Sequence, residues 1–139
     1  MAEYHMTAEW VEGIAFDVQI NEFSVRMDSA APEGTGTGPS PKRMVLAGLI
    51  CCTGMDVAAL LRKMRVQYDS LHVEARTPIT DEHPKTFAHI YLRYIIAGLD
   101  LDREKVEKAV RLSQERYCGV SAMLRKHCPI DWEIVIRNA

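Results

Sequence analysis

The chain has 139 residues, 47% apolar and 26% charged, enough for a single domain, residues 1–139, with a real hydrophobic core. Its formal net charge of −2 and pI of about 6.2 exclude general nucleic-acid binding, which needs a basic face. The N-terminus, MAEYHMTAEW, lacks the basic region and apolar run of a secretory signal. The longest apolar run, Met44 to Met55, falls short of the roughly 20 residues that span a bilayer, so no membrane association is expected. These features point to the cytoplasm. There the four cysteines, at 51, 52, 118 and 128, are kept reduced, so a redox or catalytic role outranks a structural disulfide.

Residues 1–28 read as strands. In IAFDVQI, residues Ile14, Phe16, Val18 and Ile20 share one face at period two, and Phe23, Val25 and Met27 do the same in EFSVRMD. Asn21-Glu22 between them fits a tight turn. The segment SAAPEGTGTGPSP, residues 29–41, is a loop, and its TGTG reads as flexible. It lacks the Lys-Ser/Thr ending of a phosphate-binding loop. A helix opens with Ser40 as N-cap and Pro41 in the first turn, where a missing N–H costs nothing. It should run to about Arg65, with Arg62, Lys63 and Arg65 favourable at its C-terminal end. Apolar residues almost all round from Met44 to Leu61 predict burial on most sides.

LHVEAR, residues 71–76, alternates as a strand does, and Asp81 to Pro84 reads as a turn. TFAHIYLRYIIAG, residues 86–98, reads as a longer strand with Ala88, Ile90, Leu92, Tyr94 and Ile96 on one face and His89 on the other. The segment 100–118 is an amphipathic helix capped by Asp102. Its inner stripe is Val106, Ala109, Val110, Ser113 and Tyr117, and Gly119 suits its end. VSAMLRKH adds one or two helical turns. IDWEIVIRN, residues 130–138, closes the chain as a strand with Ile130, Trp132, Ile134 and Ile136 facing in. Helices separated by antiparallel-type strand pairs make an α+β pattern.

The thiols carry the chemistry. On the first helix Cys52 shares a face with Gly48, Leu49, Met55, Asp56 and Ala59. The neighbouring small residues give this helix a narrow waist that lets another backbone come close. The bland reading is tight helix packing around inert cysteines. Against it stands Cys118, at a joint between two helical segments, beside Tyr117 and before Gly119. A thiol fixed in a helix and another on a hinge form a reasonable peroxidatic and resolving pair, provided the fold brings them within disulfide reach. Zinc is disfavoured, because Cys51-Cys52 and His127-Cys128 are adjacent pairs without usual ligand spacing. The scattered histidines form no Ser/His/Asp or HExxH pattern.

The motifs GPSP and LAGLICCTGMDVAALLRKMR, followed by DEHPKTFAHIYLRYIIAGLDLDREKVEKAVRLSQERYCGVSAMLRKHCPI, resemble the OsmC/Ohr superfamily, the osmotically inducible and organic hydroperoxide resistance proteins. The likeness covers roughly residues 39–137 and is strongest to the OsmC-like branch. It implies an α+β fold in which antiparallel sheets wrap around two long central helices, one from each chain of an intertwined homodimer. It implies a peroxidatic Cys52, a resolving Cys118, an external dithiol reductant of lipoyl type, and no metal, flavin or haem. The implied substrate is an organic hydroperoxide in an apolar pocket to which Leu49, Met55 and Tyr117 contribute. Cys51 then serves packing, and Cys128 has no assigned role.

One departure stands out. Peroxidases of this superfamily carry a glutamate near the start of the central helix, which positions an arginine beside the thiol. Here Lys42 and Arg43 stand in its place. Asp56, one turn beyond Cys52, should raise the thiol pKa. The activating cation must therefore come from elsewhere, a partner chain included. The alternative is a dimeric small-molecule binding protein that kept the pocket and both cysteines but lost efficient chemistry. A purely structural dimer is a third reading.

Overall fold

The structure is a computed structural model and describes residues 1–138. Two compact units divide the chain, Met1–Leu46 and a second from Ala47 onward.

The first unit is a three-stranded antiparallel sheet, β1 (Thr7–Glu12), β2 (Ala15–Ile20) and β3 (Phe23–Met27), in that order. Gly13, at φ 57°, turns β1 into β2, and Asn21, at φ 53°, turns β2 into β3. Ile14 belongs to the first of these turns rather than to the strand face predicted for it, and it is exposed. Phe16 and Phe23 are exposed as well, so the period-two apolar pattern is present but uncovered in the single chain. Asp17 lies opposite Arg26 and pairs with it across the strands.

The Gly/Thr-rich segment is a loop, as its composition predicted, and it is tied to Asp28 by hydrogen bonds. The buried Asp28 carboxylate gathers the loop around itself. It accepts the Ser29 N–H at 2.7 Å and the Thr37 hydroxyl and N–H at 2.7 and 3.1 Å. The Thr35 hydroxyl donates to the same carboxylate at 3.1 Å. A Cβ on Gly34 would sit 2.3 Å from the Ser29 carbonyl oxygen, so only glycine fits there.

Helix α1 (Pro41–Lys63) begins where Ser40 predicted, the Ser40 carbonyl accepting the Met44 N–H at 3.0 Å. Its 23 residues exceed the apolar run seen in sequence, and by length and composition alone it could cross a bilayer. It buries one residue per turn, Leu49, Thr53, Val57 and Leu61. That is a single stripe rather than most of its circumference. A lone helix beside one sheet can cover only one face, so Val45 and Met55 remain exposed.

The rest of the second unit is a sheet of order β4 (Ser70–Arg76), β5 (Ile90–Gly98), β6 (Ile130–Asn138). The central β5 supplies the core with Ile90, Leu92, Tyr94, Ile95 and Ile96, all buried. Its pairing with β4 is antiparallel, as expected, but with β6 it is parallel, so this sheet is mixed. The helical connection between β5 and β6 returns the chain to the start of the sheet, which is what parallel pairing requires.

That connection comprises α2 (Arg103–Leu112), a π-helical turn (Ser113–Tyr117) and α3 (Gly119–Arg125). Asp102 caps α2, its carboxylate accepting the N–H groups of Glu104 and Lys105 at 3.1 and 3.4 Å. Val106, Ala109, Val110 and Ser113 face inward as the stripe predicted. Tyr117 does not and is 52% exposed. The wider π turn slips the helical phase, and within it Gln114 is buried while Tyr117 is turned out. Gly119 opens α3 rather than ending the helix before it. The break falls on Cys118, which is extended at ψ 102°.

Candidate functional site

Cys52 stands in the middle of α1, and Cys118 at the joint between the π turn and α3. Their sulfurs and an Asp56 carboxylate oxygen all lie within 4.8 Å of one another. Asp56 is on the same face of α1, one turn beyond Cys52. The fold has thus brought together two thiols separated by 66 residues of chain.

Local structure fixes each of them. The Cys118 N–H donates to the Ser113 carbonyl at 2.8 Å, the five-residue span of a π turn. The Cys118 sulfur caps α3 by accepting the Ser121 N–H at 3.3 Å. Cys118 is buried and Cys52 half-buried. Burial pushes the Cys52 thiol above its ordinary range. The hydrogen-bonded Cys118 thiol pushes the same way, the Val120 N–H opposes it, and the charges of Cys118 and Asp56 raise it further. The raised thiol pKa agrees in direction with the expectation from Asp56, but burial is the larger cause.

Beneath the thiols lies a polar network that sequence reasoning did not identify. Ser113 donates to Asp56 Oδ2 at 3.0 Å. The Thr53 hydroxyl is 2.7 Å from Ser113 Oγ and 2.6 Å from the Tyr94 hydroxyl. The Gln114 amide donates to Thr53 at 3.1 Å and to Tyr94 at 2.8 Å, and Arg125 donates to Gln114 Oε1 at 2.9 Å. Thr53, Tyr94 and Ser113 have no exposed surface.

The direction of every bond follows from the ends. A carboxylate only accepts and a guanidinium only donates. Ser113 gives its one hydrogen to Asp56, so Thr53 must donate to Ser113. Thr53's hydrogen is then used, so Tyr94 donates to Thr53. The chain runs from Arg125 through Gln114, Tyr94, Thr53 and Ser113 to Asp56, each donor pointing towards the carboxylate. Burial raises the Tyr94 pKa above its usual value, which keeps its donated hydrogen in place. A signal for this network was present in the sequence, since Thr53, Tyr94 and Ser113 are hydroxyls on otherwise apolar inward stripes.

The other predicted residues scatter. Leu49 has no exposed surface and presents nothing to a ligand in this chain. Met55 is 71% exposed and lines an open cavity of about 1160 Å³ with Ala59, Arg62, Val66, Tyr68 and Leu99. Tyr117 is not among that cavity's lining residues. Cys51 is exposed in the single chain, and Cys128 is buried, with burial raising its pKa. The sulfurs of Cys52 and Cys118 with Asp56 form a donor set that a thiophilic cation would accept, arising from contacts distant in sequence rather than from the adjacent pairs.

Comparison with known proteins gives one answer. Residues 34–133 match the family described as OsmC-like protein. Protein YhfA of Escherichia coli (strain K12) is 35% identical over 130 residues, covering 91% of this chain and 95% of that protein. Among solved structures, an OsmC-like protein from Mycoplasma pneumoniae superposes with a TM-score of 0.83 at 15% identity, covering 98% of both chains. The organic hydroperoxide resistance protein OhrB of Bacillus subtilis superposes with a TM-score of 0.66 at 18% identity, covering 94% of this chain and 96% of that one. At those identities the two structures speak for the fold.

Proposed function

Since this chain belongs to the OsmC-like protein family, we propose that it is a thiol-dependent peroxide reductase that detoxifies organic hydroperoxides. The observation that carries the reading is the meeting of the Cys52 and Cys118 sulfurs, with Asp56, inside 4.8 Å. Cys52 is the peroxidatic residue. Its sulfur attacks the O–O bond, forming a sulfenic acid and releasing an alcohol. Cys118 is the resolving residue. Its thiol displaces hydroxide from the sulfenic acid, giving a disulfide and water. An external dithiol of lipoyl type returns both thiols by exchange. The chemistry calls for no metal, flavin or haem, and suits the reducing cytoplasm.

The working unit in this reading is a homodimer. Val45, Gly48, Cys52, Met55 and Ala59 share one face of α1, and a Cβ on Gly48 would meet nothing within 4 Å. That face supports close approach of the same helix from a second copy. Met55 and the cavity beside it then sit where an apolar substrate group can lodge.

The second reading, a dimeric small-molecule binding protein with little peroxidase activity, draws on the raised Cys52 pKa and on the same cavity. Adding cumene hydroperoxide to the reduced protein separates the two. The reductase forms a Cys52–Cys118 disulfide, and the binding protein keeps both thiols free.

A further inference from the structure

We propose that Asp56 is the proton carrier of both thiol steps, taking the proton from the attacking thiol and handing it to the oxygen that leaves. The proposal rests on the peroxide-reductase reading and adds to it a residue and a role.

Three observations lead there. First, the carboxylate oxygen is within 4.8 Å of both sulfurs at once, a span that one bridging water or one side-chain rotation closes. Second, Asp56 is held by a directed chain of donors reaching from Arg125 to Ser113. Such a chain fixes the carboxylate's position and orientation. Third, a fixed negative charge is the wrong neighbour for a thiol that must ionise in advance. It opposes the thiolate, and burial opposes it too. An anchored carboxylate in that place helps the reaction only by accepting the proton as sulfur attacks.

The balance closes without another reactant. In the first step Asp56 removes the Cys52 S–H proton while sulfur attacks the nearer oxygen of ROOH. The S–O bond forms, the O–O bond breaks with its electron pair passing to RO⁻, and Asp56 returns the proton to give ROH. Sulfur is oxidised and the peroxide reduced by two electrons. In the second step Asp56 takes the Cys118 S–H proton as that sulfur attacks Cys52. The S–S bond forms, the S–OH bond breaks, and the proton returned to hydroxide makes water. Asp56 ends each step ionised. Among the described residues, the titratable and charged groups clustered with it or linked to it are Cys52 on its own helix, Cys118 from the helical joint and, through the hydroxyl chain, Tyr94 on β5 and Arg125 on α3.

Two reactions of Cys52 test this, each followed by mass spectrometry between pH 6 and pH 8. Oxidation by cumene hydroperoxide ejects a strong base, whereas alkylation by iodoacetamide requires only free thiolate. With Asp56 shuttling the proton, wild-type oxidation stays nearly flat with pH while alkylation rises about tenfold per unit, since the thiol is mostly protonated throughout. Asp56→Asn should slow oxidation about 100-fold at pH 7 and make it climb tenfold per unit. The same variant should alkylate at least as fast as wild type, because a repelling charge has gone. Ser113→Ala, which removes only the last donor, should slow oxidation about fivefold. An Asp56→Asn protein with wild-type oxidation, or one whose oxidation and alkylation fall together, overturns the proposal and leaves the reductase reading standing. A wild-type protein inert to the peroxide overturns both.

Discussion

The backbone N–H of Cys118 donates to the carbonyl of Ser113 across a single π turn, at 2.8 Å. This bond sets the geometry of the site. An α-helix continued past Leu112 would carry Cys118 onward around its axis. The wider turn instead places Ser113 and Gln114 both in the interior and ends the helix at Cys118 in an extended conformation. Cys118 thus stands on a joint, while Cys52 stands inside a continuous helix.

From that asymmetry follow different outcomes for the two thiols. Cys52→Ser should abolish peroxide turnover. Cys118→Ser should stop at the Cys52 sulfenic acid, which dimedone traps as a mass adduct on the peptide holding residue 52. Full turnover by Cys52→Ser would remove the peroxidatic assignment.

Thr53 is the hub of the buried network, touching Tyr94, Ser113 and Gln114. Thr53→Val keeps the shape but leaves buried donors and an acceptor without a partner. It should destabilise the fold by about 1–3 kcal/mol, read from urea unfolding. An unchanged midpoint would mean that these hydroxyls are satisfied in some other way.

The Asp28 loop predicts an acid sensitivity. Hydrogen bonds from Thr37, followed by that from Ser29, hold the Asp28 carboxyl far below its ordinary value of 3.8. A depressed folded-state pKa contributes stability above the unfolded value and loses it as pH falls from there towards the folded one. Wild-type protein should therefore lose this contribution as the pH drops below about 4. Asp28→Asn should be less stable at pH 7, and its melting temperature should approach that of wild type on acidification. Equal stability at pH 7 would show that the loop does not depend on the charge.

Gly48 offers a test of the proposed dimer that spares the monomer. One chain has open space where its Cβ would be, so Gly48→Leu meets no obstacle within the fold. Two α1 helices packed at this face would be forced apart. Sedimentation should then show association at least about tenfold weaker, the cost of overpacking a close contact, with helical content retained. A variant that stays as dimeric as wild type would place the interface elsewhere.

Much of the fold could be read along the chain because its signals are local. Ser40 and Asp102 begin their helices, Asn21 makes its turn, and alternation in YLRYIIAG gives the buried strand. What escaped depends on contacts distant in sequence. The parallel pairing of β5 with β6 depends on where the intervening helices return the chain. The hydrogen bonds that gather the Gly/Thr-rich loop converge on Asp28, whose carboxylate no periodicity marks. The π turn is a slip of one residue, and only packing reveals it. Among the site residues, Cys52 and Cys118 were visible as thiols and Asp56 as a charge beside one of them. Ser113 and Tyr94 were assigned to apolar stripes, because in a helix or strand read alone an inward hydroxyl looks like any small or aromatic core residue. Arg125 gave no signal, since its bond to Gln114 joins α3 to the π turn and depends on how the two segments pack.

The most direct test of the central claim is to treat reduced protein with one equivalent of cumene hydroperoxide and map its thiols by mass spectrometry without reductant. Rapid formation of a Cys52–Cys118 disulfide is expected, with Cys51 and Cys128 left free. Both Cys52 and Cys118 still free after minutes would contradict it and leave the cavity beside Met55, rather than the thiols, as the place to look for function.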